Sequence, residues 1–233
     1  GAGKAGGDVT IEARNAGTLT ISTGADITSL GSAGNTSGAG GAGGAVTLST
    51  ATTTLTLNDT LISTSGGAGA GASAGSGGNI TITDPLTIAT GQVELNTGTS
   101  GAGNITTGTI DGTTSISFTA GSGTIDTGVI GGSTALTGLS YTADAITLDS
   151  NITIDGDVTI TGASTLGANI TIDTNNASSD GDITLGIVDG NNALTIDSGA
   201  GAVSIGVIGG ETALSGLTIN TAGAAGDTGN ITL

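Results

Sequence analysis

Cysteine, tryptophan, methionine and histidine are missing from the 233 residues, and phenylalanine, tyrosine and proline occur once each. Without cysteine there is no disulfide or thiol chemistry, and the redox compartment cannot be read from it. Phe118 and Tyr141 are the only aromatic residues. The large side chains that fill a broad three-dimensional core are therefore absent, which argues against an ordinary globule. Lys4 and Arg14 stand against nineteen acidic residues, for a net charge of −17. That balance excludes nucleic-acid binding, which needs cations to displace counterions from phosphates. Anionic membranes repel such a chain. No stretch approaches the ~18 consecutive apolar residues of a membrane span, so membrane insertion is not expected. No charged and then apolar leader opens the chain, which reads as a segment cut from something longer.

What is present is glycine, 47 residues of it, with abundant Ile, Val, Leu and Thr. Gly-rich acidic chains often stay disordered, but regular apolar alternation weighs against disorder here. Residues 103–141 recur at 181–219, an offset of 78 without a gap, and 18 of the 39 paired positions are identical. Each copy is itself double, since Ile105 to Gly112 returns 20 residues later from Ile125. A period near 20 with short β-rich runs and Gly corners is the pattern of a solenoid.

Residues 1–100 follow a looser version of the plan, with three short runs per unit. Val9-Thr-Ile, Leu19-Thr-Ile and Ile27-Thr-Ser form the first unit; Val46-Thr-Leu, Leu55-Thr-Leu and Leu61-Ile-Ser the second. Ile80-Thr-Ile, Leu86-Thr-Ile and Val93-Glu-Leu form the third. Strand period two turns the apolar residues of each run inward and threonine outward. Three runs per unit imply three sides. The expected fold is all-β: a parallel β-helix, or β-solenoid, of three-sided coils of about 20 residues, with no helix. Starts at 9, 46, 80, 105, 125, 146, about 166, 183, 203 and 231 predict about ten coils and a rod of roughly 50 Å. Residues 1–100 carry coils with long Gly/Ala/Ser-rich insertions, and 101–233 carry tighter coils of one continuous solenoid.

The tracts Gly31–Gly44 and Gly66–Gly78 fall at the same place in successive units. They read as long loops leaving one corner, and their Gly/Ala content predicts high mobility. Gly-Asn or Gly-Asp before Ile marks corners, because both residues tolerate a left-handed backbone. Asp111-Gly112 and Asp189-Gly190 read as turns. Pro85 precedes Leu86 at a strand start, where its missing N–H does least harm.

These words carry a resemblance. G-x-I-T-x-G-x-[IV]-D-G, followed by G-x-[IV]-G-G-x-T-A-L, resembles the repeat region of large secreted proteins of the filamentous haemagglutinin family. The Gly-rich upstream units are similar to earlier repeats of the same proteins. The resemblance implies a right-handed β-helical exoprotein, exported through an outer-membrane partner and used in adhesion, matrix or filament formation. The family's amino-terminal secretion domain has no counterpart in these residues.

A catalytic reading requires paired carboxylates. Asp155 and Asp173 end equivalent Ile-Thr-Ile-Asp runs and are expected to stack on adjacent coils. Two such carboxylates repel, so they splay into water or share a calcium ion. With no His, Lys or Arg nearby to tune a pKa, neither a catalytic residue nor a metal or cofactor site is assigned. Thr-x-Thr pairs such as Thr81/Thr83 and Thr159/Thr161 raise ice binding, which requires them to align on one flat face. The expected function is an extracellular, secreted or cell-surface structural and adhesive rod, not an enzyme. Its expected partners are further copies of itself, end to end through open β edges, and a host or neighbouring-cell surface or matrix polysaccharide. A carbohydrate-active β-helix enzyme and an ice- or receptor-binding solenoid are the alternatives.

Overall fold

The computed structural model describes every residue except Ala16, Thr52, Ala102, Ala177, Ser178 and 224–228, with the backbone alone for Asn176 and Ser179. The described residues are all-β with no helix: twenty-two strands, sixteen of them in one sheet. Every pairing is parallel except the small ladder of Asn175–Asn176 with Ser179–Asp180. Parallel neighbours cannot be joined by a tight hairpin. Here the chain visits two other lines of strands before it returns to pair.

Register makes those lines explicit. The first column stacks Val9, Val46, Ile80, Ile105, Ile125, Ile146, Ser164, Val188 and Ile208. The second stacks Leu19, Leu55, Leu86, Ile110, Ile130, Ile152, Ile172, Ile196 and Ile219. The third stacks Ile27, Ile62, Leu95, Phe118, Tyr141, Ile160, Leu185 and Ile205. From Val46 to Ile205 nearly all of these side chains are buried. The strand Val46–Thr50 alternates buried and half-buried residues, as a period of two requires. At the widest rungs Phe118 and Tyr141 meet edge to face, with ring centroids 4.9 Å apart. The Tyr141 hydroxyl finds a partner in Thr127 Oγ1 at 2.7 Å.

The count of about ten coils is corrected by this register. Ile183, Val203 and Ile231 do not start rungs of the first column. They pair in the third column, through Val158↔Ile183, Ile183↔Val203 and Val203↔Ile231. The first column therefore has nine rungs, about 40 Å at the usual strand spacing. The second copy of the duplicate is rotated by one column relative to the first. Between the copies lie five strand runs, at Ile146, Ile152, Val158, Ser164 and Ile172. Five is not a multiple of three, so the second copy enters one column out of phase. Local geometry survives the shift: Gly121 and Gly199 (φ 48° and 54°) and Gly131 and Gly209 (φ 68° and 63°) are left-handed in both copies.

The Gly-rich tracts are not free loops. Gly3, Gly6 and Val9 donate backbone hydrogen bonds to Ala39, Ala42 and Ala45; Gly40, Gly43 and Val46 donate to Ser73, Ser76 and Asn79. Gly31 and Gly34 donate to Ser65 and Ala68. Antiparallel contacts interleave them: Gly41 and Gly44 to Ser32 and Ser29, Gly67 and Ala70 to Gly41 and Gly38, Gly75 and Gly78 to Gly67 and Thr64. Each ladder advances by three residues on both sides, the period of the extended left-handed polyproline II helix. Such helices pack this closely only where a side chain is missing. A Cβ on Gly40, Gly41, Gly67 or Gly75 would be driven into the carbonyl oxygen of a neighbouring segment. Glycine therefore serves packing here as it does at a collagen axis, and the expected mobility gives way to a hydrogen-bonded bundle beside the first two rungs.

Candidate functional site

The carboxylates expected to pair do not. Asp173 lies in register with Thr153 on one side and Asp197 on the other. Asp155 sits two residues beyond Thr153, because the coil from Ile152 to Ile172 is 20 residues long whereas the two aspartates are 18 apart. Partial burial raises the pKa of Asp173; a bond from the Asn175 N–H opposes this and the nearby charge of Asp197 adds to it. Side-chain amides stand where a cation was considered: Asn175 and Asn220 donate to Asp197 Oδ1 at 3.1 and 3.2 Å. Among the described residues no three His, Cys, Asp or Glu side chains are grouped to hold a metal ion.

Outward hydroxyls stack, but on three columns. Thr10, Thr47, Thr81 and Thr106 share a line that Asp126 then interrupts. Thr20, Thr56 and Thr87 share another, which ends at Asp111. Ser117, Ser140, Thr159, Thr184 and Ser204 run along the third column, and paired hydroxyls two residues apart persist there only through Thr119, Thr142 and Thr161. Each outward ladder is what β-branched residues on a half-solvated strand produce. The Thr-x-Thr words are thus spread around the molecule rather than collected on one face.

Aspartate and asparagine at the corners instead hold the neighbouring coil. Asn79 Oδ1 accepts from the N–H of Asn104, Asn104 from Thr124, Asp157 from Asp182 and Asp182 from Ala202, at 2.7–3.0 Å. The two Asp-Gly turns do more. Asp111 Oδ1 accepts from the N–H groups of Ser133 and Thr134 at 2.7 and 3.0 Å. Asp189 Oδ1 accepts from Glu211 and Thr212 at 2.9 and 3.1 Å. A cleft opens beside each, of about 370 Å³ and about 300 Å³. Thr87, Asp111, Gly112 and Thr134 line the first; Thr165, Asp189, Gly190 and Thr212, each 78 residues on, line the second. The Gly-Gly-x-Thr loop that completes each cleft is plain in both copies of the sequence, but its bond to aspartate depends on a pairing one coil away.

No protein-family model, curated protein or solved structure matches this chain.

Proposed function

We propose that the chain is a stretch of parallel β-helix, three-sided and continuous from residues 1–100 through 101–233, that serves as a structural and adhesive rod. In this reading it belongs to a large secreted or cell-surface bacterial filament protein of the filamentous haemagglutinin kind. The observation that carries the reading is the state of its terminal strands. Val9–Ala13, Leu19–Ile21 and Ile27–Thr28 each pair on one side alone, as do Gly216–Asn220 and Ile231–Thr232 at the other end. Unpaired strand edges template further strands. Further coils, from the same chain or another copy, continue the columns with the same apolar–Thr–apolar words. A charge of −17 opposes side-by-side clumping along the length while leaving the narrow ends able to join. A rod without a catalytic centre fits the scattered carboxylates, and adhesion then resides in its long surface.

Electron microscopy of the purified chain tests this. The expected result is unbranched fibres one molecule wide that lengthen with protein concentration and with salt, as repulsion is screened. Isolated particles about 40 Å long at high concentration and high salt count against end-to-end assembly.

A further inference from the structure

We propose that the two clefts beside Asp111 and Asp189 are binding sites for a non-acidic carbohydrate polymer, and that together they cross-link two of its strands. The proposal deepens the rod reading by naming where and what the rod would grip.

Recurrence is the first argument. The clefts sit on different columns with different neighbours, yet four lining residues recur at the 78-residue offset. The local motif builds the cleft, and duplication of the motif has duplicated it. Chemistry is the second. Threonine hydroxyls both donate and accept, and each aspartate is a fixed acceptor whose Oδ1 is held by two backbone N–H groups. Beneath this rim lies an apolar floor, Ile88 and Ala89 in the first cleft, Ile187 and Val207 in the second. Ile187 and Val207 are 41% and 47% exposed, so the second floor is open to a ligand. A sugar ring presents hydroxyls at its edge and C–H groups on its face, which is the complement of that arrangement. Cavities of this size stand at the small end of ligand pockets and admit about one or two rings.

Charge narrows the class. Lys4 and Arg14 both belong to the first coil, so neither cleft has a cation to meet a phosphate, sulfate or uronate. Glu211, where the first copy has Ser133, makes the second cleft still more acidic. The two aromatic side chains are buried, so no ring is offered for stacking. Each site alone is therefore weak, and useful binding comes from a polymer that meets many. Eleven column steps separate the clefts, three and two-thirds turns, or about 18 Å along the axis. The odd third turns the second cleft to another face, so one rod engages two strands rather than one strand twice.

The test is an amide-resolved NMR titration of the intact chain with three hexasaccharides: neutral β-glucan, glucosamine and galacturonate. Shifts at Ser133, Thr134, Glu211 and Thr212 with roughly millimolar Kd are expected for the first two. Thr134→Val and Thr212→Val should each weaken one site about tenfold and leave the other unchanged, with the spectrum itself reporting the fold. Wild type, but neither variant, should raise the viscosity of a long β-glucan. No shift at either cleft with both non-acidic probes, shifts confined elsewhere, or equal binding of galacturonate overturns the proposal. Fibre formation in the microscope is independent of both variants. Fibres without sugar binding reject this inference alone, and sugar binding without fibres rejects the rod reading alone.

Discussion

Ile105 and Ile183 hold the same place in a duplicated sequence and stand on different columns. Ile105 pairs with Ile80 and Ile125, and Ile183 pairs with Val158 and Val203. The duplicated unit thus carries its own turns and hydrogen bonds wherever the coil places it. Asp111→Ala and Asp189→Ala should each remove two charge-assisted bonds and cost about 1 kcal/mol, an exposed-site value. The sites lie about 18 Å apart, so the double variant should be additive within ~0.5 kcal/mol. Urea unfolding measures all three, and unequal or strongly coupled costs would show that the columns, not the unit, define the site.

The Gly-rich bundle makes a sharp contrast between glycines. Gly41→Ala and Gly75→Ala drive a Cβ into the carbonyls of Lys4 and Gly41, whereas nothing lies within 4 Å of a Cβ on Gly7. The first two should lose about 1–3 kcal/mol by overpacking. Gly7→Ala should be neutral or gain ~0.5 kcal/mol from the unfolded state. Hydrogen exchange gives a second readout: the amides of Gly43, Gly67 and Gly75 should be protected, since each donates to a neighbouring segment. Exchange as fast as an unfolded chain at all three would restore the mobile-loop reading.

Two buried threonines should respond in opposite directions. Thr107 and Thr127 are neighbours on the first column, but Thr107 Oγ1 is buried without a hydrogen-bond partner while Thr127 Oγ1 meets Tyr141. Thr107→Val keeps the shape and removes an unsatisfied hydroxyl, so it should stabilise by about 1 kcal/mol. Thr127→Val strands the tyrosine hydroxyl and should destabilise by about 1–2 kcal/mol. Equal effects of the same sign in thermal unfolding would contradict the Thr127–Tyr141 bond.

Stability should fall as pH rises through the carboxyl range. Desolvation raises the pKa of Asp126, helped by the charge of Asp149, and desolvation likewise raises that of Asp173. A group whose pKa is raised on folding holds its proton longer in the native state. Its contribution is complete below the unfolded value, 3.8, and is lost as pH climbs through the folded one. Asp126→Asn and Asp173→Asn should therefore raise Tm at neutral pH and flatten its dependence on pH. Burial also raises the pKa of Tyr141 above its ordinary 10.0, so tyrosinate absorbance should appear only as the chain unfolds in alkali. Titration of Tyr141 in the folded state at its ordinary pKa would contradict its burial.

Much of the fold was legible because strand words are local. Ile80-Thr-Ile, Leu86-Thr-Ile and their kin announce inward and outward faces through side-chain alternation, and Pro85 marks the start of Leu86–Thr90. Phase was not legible. All three columns use the same apolar–Thr–apolar word, so nothing in Ile183 itself says which column it joins; that depends on counting runs such as Ala163–Leu166, which lacks an isoleucine. The Asp155–Asp173 pairing failed for the same reason, since a two-residue difference in coil length moves a carboxylate to another rung. The Gly bundle stayed hidden because its period of three belongs to backbone hydrogen bonds, while its sequence shows only small residues. At the clefts the Asp-Gly and Gly-Gly-x-Thr words were visible, and their meeting one coil apart was not.

Engineered disulfides test the register most directly, in a chain that has no cysteine of its own. Thr165 pairs with Asp189 on the first column, whereas Thr184 pairs with Thr159 and Ser204 on the third. Neighbouring Cα atoms in a parallel ladder lie about 5 Å apart, within reach of a disulfide. Thr165→Cys with Asp189→Cys should close on mild oxidation, and Thr165→Cys with Thr184→Cys should stay reduced. If the second pair closes and the first does not, the copies are in phase and the rotated three-column coil is wrong.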